Sequence, residues 1–229
     1  MNKLQKTLAV LISSALMALP AAAVEFRVGI SAGLAGIEST GTETLKDSSN
    51  KTAHAEDATA VIPSWFTEIG TDSGLGIGYD SVSGSADLAG GVRKTVNVST
   101  EQAAAVVGND AGTQQANAEV DGMSTIYLIK KFESGLLFKF GTTSADVNTI
   151  ETLASGTTYG NKTVDGTMVG IGWETANDSG IFVRTTFEST SFDSVKLTGT
   201  EEGGTSGSYN IIDADVDMQM AKISIGKIF

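Results

Sequence analysis

Eight stretches of alternating hydrophobicity, joined by connections that alternate between short and long, predict an all-β chain: an eight-stranded antiparallel up-and-down barrel that crosses a membrane. A third observation supports this reading. The triplet of an acidic residue followed by Ser-Gly occurs three times, in TDSG at Thr71, FESG at Phe132 and NDSG at Asn177, and each copy precedes a new alternating run.

The chain opens MNKLQKTLAVLISSALMALPAAA, with Lys3 and Lys6, an apolar run from Leu8 to Leu19, then Pro20 and small residues. This is the layout of a secretory signal peptide over 1–23, since about a dozen apolar residues fall short of the roughly 20 that span a bilayer as a helix. The remainder, 24–229, reads as one domain. Candidate strands fall at about 24–37, 62–70, 75–83, 119–131, 136–143, 164–175, 180–192 and 210–229. The connections 71–74, 132–135 and 176–179 are short, and glycine at their ends tolerates the positive φ of a tight reversal. The connections 38–61, 84–118, 144–163 and 193–209 are long and rich in Gly, Ser, Thr, Asn and Ala, so they are expected to be exposed and mobile. Short turns at one end and long loops at the other distinguish a membrane barrel from a soluble sandwich or lipocalin-like barrel, and both termini fall at the short-turn end.

The alternation assigns the faces. Ile181, Val183, Thr185 and Phe187 oppose Phe182, Arg184, Thr186 and Glu188. Leu136, Phe138 and Phe140 oppose Lys139 and Gly141; Val169, Ile171 and Trp173 oppose Gly170, Gly172 and Glu174. Arg or Lys facing lipid at mid-depth costs about 2–4 kcal/mol. The charged face therefore lines the interior, placing Arg27, Glu68, Lys139, Glu174, Arg184, Glu188 and Lys222 in a lumen where charges of mixed sign should pair. Side chains fill the interior of an eight-stranded barrel, so the expected state is a plugged lumen. Gly29, Gly33, Gly76, Gly78, Gly141, Gly170 and Gly172 also point inward and are expected to leave room for water. Trp65, Trp173, Tyr79 and Tyr127 are placed near strand ends as interfacial aromatics. The segment STIYLIKKF alternates poorly, and VRKTVNVST within 84–118 offers a candidate for extra strands.

The final segment, MQMAKISIGKIF, has Ala221, Ile223, Ile225 and terminal Phe229 on one face. With the leader and the eight-strand layout, it resembles the small OmpA-like and OmpX-like outer-membrane barrels of Gram-negative bacteria, along the whole mature length. The resemblance implies that Ile223, Ile225 and Phe229 form the signal read by the barrel-insertion machinery. Lys227 departs from the pattern, which has an apolar or aromatic residue there.

Composition excludes other classes. With 15 basic residues against 27 acidic ones, nucleic acid is not an expected partner. Cysteine is absent, so neither disulfides nor thiolate metal sites are available. The single histidine, His54 in KTAHAED, lies near Asp57 and Ser48, but an Ala/Thr/Ser segment offers nothing to hold a catalytic geometry, and it reads as incidental. Asp213, Asp215 and Asp217 share one strand face and read first as the rim where the strand leaves the membrane. The second reading is a site for divalent cations shared with lipopolysaccharide. The expectation is a monomeric, non-enzymatic protein without a cofactor, acting structurally or at the surface through acidic loops, with outer-membrane lipid and lipopolysaccharide as partners. The alternative is a narrow porin-like channel.

Overall fold

In the computed structural model, residues 24–44, 51–87, 115–152, 158–200, 209 and 211–229 are described; the leader and the VRKTVNVST segment lie outside them. Ten strands form: β1 (Val24–Thr44), β2 (Lys51–Thr71), β3 (Leu75–Val82), β4 (Ala86–Asp87), β5 (Gln115–Lys131), β6 (Leu136–Thr152), β7 (Lys162–Ala176), β8 (Ile181–Phe192), β9 (Val195–Thr198) and β10 (Ile211–Ile228). Eight make the barrel in the order β1-β2-β3-β5-β6-β7-β8-β10, all antiparallel, and β10 closes on β1 from Arg27↔Ile228 to Thr44↔Ile211. The predicted closed barrel is therefore present. The two-residue β4 pairs with β5, and β9 pairs with the top of β10.

The three repeated triplets are one device. Gly74, Gly135 and Gly180 have φ of 78°, 90° and 78°, and each donates its N–H to the carbonyl three residues earlier, at 2.8–2.9 Å. Each glycine carbonyl then accepts from the neighbouring strand: Lys131 N to Gly74, Glu174 N to Gly135 and Ile228 N to Gly180. Glycine is needed twice over, for the left-handed backbone and because a Cβ would strike the carbonyl of Lys131, Glu174 or Ile228. At the seam, Phe229 N donates to the Phe26 carbonyl at 2.8 Å.

Residues expected to be long loops are partly strand. β1 and β2 run through most of 38–61, pairing Glu38↔Asp57 up to Thr44↔Lys51; β6 reaches Thr152, and β9 occupies part of 193–209. The cause is a change of polarity along each strand. Near the turns the outer face is apolar and the inner face polar: Phe26, Ile30 and Leu34 are exposed, while Arg27 and Ser31 are buried. Farther up, Ala35 and Ile37 are buried while Glu38 and Thr40 are exposed. β10 repeats the change from Ile225 and Ile223 outside to Met220, Met218 and Val216 inside. The reversal passes through adjacent apolar pairs, Leu34-Ala35 and Met220-Ala221, which the β-ladder sets side by side as Leu34↔Ala221 and Ala35↔Met220. The lower halves suit lipid. The upper halves form a water-facing tube with an apolar interior.

β5 alternates poorly over STIYLIKKF because apolar and basic residues fall on both parities: Tyr127 and Ile129 are buried while Ile126 is exposed, and Lys130 and Lys131 are adjacent. Its register shifts between Asp121 and Ser124, with Gly122 at φ 58°, a β-bulge that moves the inward set from Ala118 and Val120 to Met123, Thr125 and Tyr127.

Candidate functional site

The interior is layered. Upward from the short turns, β1 presents Arg27, Ser31 and Ala35; β2 presents Glu68, Ser64 and Ile62; β5 presents Tyr127, Thr125 and Met123; and β6 presents Lys139, Thr143 and Val147, all buried. On these four strands a floor of charged or phenolic groups lies below hydroxyls and these below hydrocarbon, while on β8 and β10 Glu188 and Lys222 stand one step above Thr186 and Ser224.

All seven lumen charges read from the sequence are buried in this floor. Arg184, 1% exposed, is its hub: Nη1 and Nη2 donate to the two Glu68 oxygens at 2.6 and 2.7 Å, and Nε and Nη2 donate to Glu174 Oε2 at 2.9 and 2.6 Å. The other Glu174 oxygen accepts from Arg27 at 3.1 Å and Lys131 at 3.0 Å, and Arg27 also pairs with Glu25. The Arg184 guanidinium lies 5.1 Å from the Phe66 ring centroid and 5.2 Å from that of Phe182. A second branch joins Lys139 to Glu188 at 2.7 Å and Lys222 to Glu188 and Asp80 at 3.3 and 3.1 Å. Five cations thus meet five carboxylates, which is the condition for burying charge without an uncompensated ion.

Sequence reasoning missed four members: Glu25, Asp80, Tyr127 and Lys131. Asp80 was detectable, because it shares strand parity with the inward Gly76 and Gly78. Tyr127 is a correction, since it is fully buried instead of lying in an interfacial girdle, and its hydroxyl donates to Glu68 at 2.7 Å. The poor alternation of STIYLIKKF hid this phase. The inward glycines also need correcting. A methyl on Gly78 would run into the Tyr127 ring, on Gly29 into Phe66 and on Gly33 into Met220, so these positions make room for neighbouring side chains and not for water.

Above the hydroxyls is an apolar cavity of about 40 Å³, lined from inside by Ile37, Ile62, Met123, Val216 and Met218. Its lining also includes Val61 and Pro63, exposed on the outer face of β2, and Ser83, Gly84 and Ser85 beyond the end of β3, so among the described residues the cavity reaches the barrel wall there. The gap has a local cause. β3 stops at Val82 while β2 and β5 continue, and Ser83 N donates to the Pro63 carbonyl at 2.8 Å. In an antiparallel ladder a residue's N–H and C=O point to the same neighbour, so the donor that Pro63 lacks is the one that would have extended the β2–β3 ladder. Among the described residues no ladder joins β2 above Pro63 to β4 or β5.

The outer band is apolar around the barrel, with Phe26, Ile30, Ile126, Phe138, Phe140, Ile171, Trp173, Val183, Phe187, Ile223 and Ile225 each at least 42% exposed. Such a surface on a closed sheet is the requirement of a lipid-spanning barrel. The chain is an eight-stranded outer-membrane β-barrel. A solved structure agrees in fold: OprG of Pseudomonas aeruginosa matches at TM-score 0.57 and 13% identity, covering 91% of this chain and 97% of that one. The AlkL outer-membrane protein matches at TM-score 0.45 and 11% identity, covering 93% of each chain, and the outer-membrane protease OmpT of Escherichia coli at 0.46 and 10%, covering 90% and 97%. Neither a protein-family model nor a curated protein sequence matches the chain. The barrel belongs to the Gram-negative outer membrane.

Ile223, Ile225 and Phe229 lie on the lipid face of β10, 57%, 52% and 69% exposed. Asp213, Asp215 and Asp217 are exposed on the outer face above that band, and among the described residues no group of three or more acids or histidines is arranged to hold a metal ion. Only the backbone of His54 is described, on β2 opposite Gly41.

Proposed function

We propose that this barrel is a non-enzymatic receptor for small apolar molecules, which enter the upper chamber and leave sideways through the wall at Pro63 toward the outer edge of the lipid band. The observation that carries this reading is the apolar cavity that, among the described residues, reaches the wall between β2 and the end of β3, above a closed ionic floor. Val61, on the outer side of that cavity, is 74% exposed and pairs across the ladder with lipid-facing Leu34, which puts the opening at the top of the apolar band. The cavity lining contains hydrocarbon, thioether and serine groups and no acid or base.

At about 40 Å³ the cavity is well under the ~150 Å³ that holds a benzene-sized guest. A ligand must therefore displace side chains. Met123 and Met218 suit this, being unbranched and polarisable. In this reading the barrel is monomeric, its band contacts lipid and lipopolysaccharide, and Phe229 with Ile225 and Ile223 is what the insertion machinery reads.

The test uses the mature barrel refolded into lipid nanodiscs and an environment-sensitive naphthylamine probe. Saturable binding is expected in the parent and at least a tenfold loss in Met123→Trp, where the indole fills the chamber. Equal binding by both proteins would sink the reading.

A further inference from the structure

The three short turns repeat more than their glycine. In Asp72-Ser73-Gly74, Glu133-Ser134-Gly135 and Asp178-Ser179-Gly180 an exposed acid precedes the serine, and among the described residues none of these carboxylates makes a hydrogen bond or ion pair. The turns are held without them. Asn177 Oδ1 accepts from the N–H groups of Ser179 and Ile181, and the Thr71 hydroxyl donates to the Leu75 carbonyl at 3.2 Å.

The strand beside each turn supplies the second half of the repeat. Gly74, Gly135 and Gly180 accept from the N–H of Lys131, Glu174 and Ile228, so the residues one step earlier, Lys130, Trp173 and Lys227, hold equivalent places at the three turns. Their side chains belong to the outer face: Lys130 has Leu75 and Phe138 as ladder partners, and Lys227 has Val28 and Ile181, all of lipid-facing parity. Each ammonium is carried out of the hydrocarbon. Lys130 Nζ donates to the Ser73 carbonyl at 2.7 Å, and Lys227 Nζ to that of Ser179. An ammonium has three N–H donors, and among the described residues neither lysine forms an ion pair, so two donors on each stay open at the lower edge of the apolar band.

Read downward along the barrel, the order is apolar band, lysine ammonium, turn carboxylate. A zwitterionic phospholipid presents the matching order of hydrocarbon, phosphate and amine. We propose that Lys130 with Asp72, and Lys227 with Asp178, bind phospholipids carrying an ethanolamine headgroup in the periplasmic leaflet. The phosphate oxygens accept from the lysine, and the primary ammonium beyond them donates to the acid. The two places lie on β5 and β10, on opposite sides of the barrel and at the other end from the apolar chamber. A choline headgroup has the same charges but no N–H to give the carboxylate, and a glycerol headgroup brings its phosphate toward the acid with no cation between them. The pairing also gives Lys227, which departs from the closing-strand pattern, a role at the lipid surface.

The experiment is native mass spectrometry of the mature barrel released from nanodiscs of equal parts phosphatidylethanolamine, phosphatidylcholine and phosphatidylglycerol with matched chains. Heat-dependent gel mobility establishes that each variant is folded. The parent is expected to keep up to two phosphatidylethanolamines, about threefold in preference to either competitor, the scale of an exposed charge pair. Asp72→Asn with Asp178→Asn preserves the turn chemistry, and it should remove the preference over phosphatidylcholine and raise retention of phosphatidylglycerol. Lys130→Gln with Lys227→Gln should lose all three lipids. Equal retention of phosphatidylethanolamine and phosphatidylcholine by the parent would overturn the assignment. An excess of phosphatidylglycerol on the parent, or a preference unchanged by the two Asp→Asn substitutions, would also overturn it, since either describes a site for phosphate alone. The Asp→Asn variant decides the matter by itself if the lysine variant does not insert.

Discussion

Arg184 shows how a single residue can close the lumen. It touches two carboxylates from two strands and lies between two rings, so its removal strands Glu68 and Glu174 as buried anions. Removing one partner of a buried ion pair costs about 3–5 kcal/mol, whereas replacing the whole set with neutral groups of similar shape is often neutral. Arg184→Met is therefore expected to destabilise the barrel by about that amount, measured as the urea midpoint of the heat-modifiable gel band. Adding Glu68→Gln to Arg184→Met should recover most of the loss, because it leaves four cations against four carboxylates, with Glu174 still held by Arg27 and Lys131. A single variant as stable as the parent would mean that the floor carries no coupled charge. The placement of Arg184 was legible in the sequence because its neighbours Val183 and Thr185 alternate with it cleanly. Tyr127 was not, because apolar residues and lysines fall on both faces of STIYLIKKF, so alternation there does not separate inside from outside.

At the scale of the strand, the informative feature is the switch from apolar-out to apolar-in. Alternation read as a single pattern finds the lower halves and stops where the sense inverts, which is why β1 was expected to end near residue 37 and runs to Thr44. The signal was present as Leu34-Ala35, Val61-Ile62 and Met220-Ala221, two apolar residues in succession at one level of three adjacent strands. Above the switch the outer face meets water and carries a row of like charges: Glu38 is paired in register with Asp57 on one side and Asp217 on the other, and all three are exposed. Like charges directly opposite on neighbouring strands are destabilising, by up to about 1 kcal/mol. Glu38→Gln should raise unfolding stability by about 0.5 kcal/mol at low salt, and the gain should vanish near 1 M salt, where the screening length is about 3 Å. Denaturant titration at both salt concentrations measures it. A gain that persists at high salt would point to packing as its source.

At the scale of the whole molecule, β1 has 21 residues, which at about 3.3 Å each and a tilt near 45° rises roughly 50 Å, about twice the ~25 Å apolar band of a barrel of this kind. The molecule is thus two stacked tubes, and each is closed by different physics. The lower tube is closed by paired charges, the upper by methionine and aliphatic side chains around a cavity of about 40 Å³. Closures in series must both open for ions to pass. The parent barrel is accordingly expected to be silent in single-channel recording, and a floor-stripped variant carrying Arg184→Ser, Glu68→Ser and Glu174→Ser should stay silent, because water does not fill so small an apolar constriction. Conductance is expected only when Met123→Ser and Met218→Ser are added to those three, since the thioethers then give way to groups that hold water. Heat-dependent gel mobility establishes that each variant is folded and inserted. Steps from the parent would make the barrel a channel, and steps from the three-serine variant alone would show that the apolar chamber is open to water and that the charged floor is the only seal.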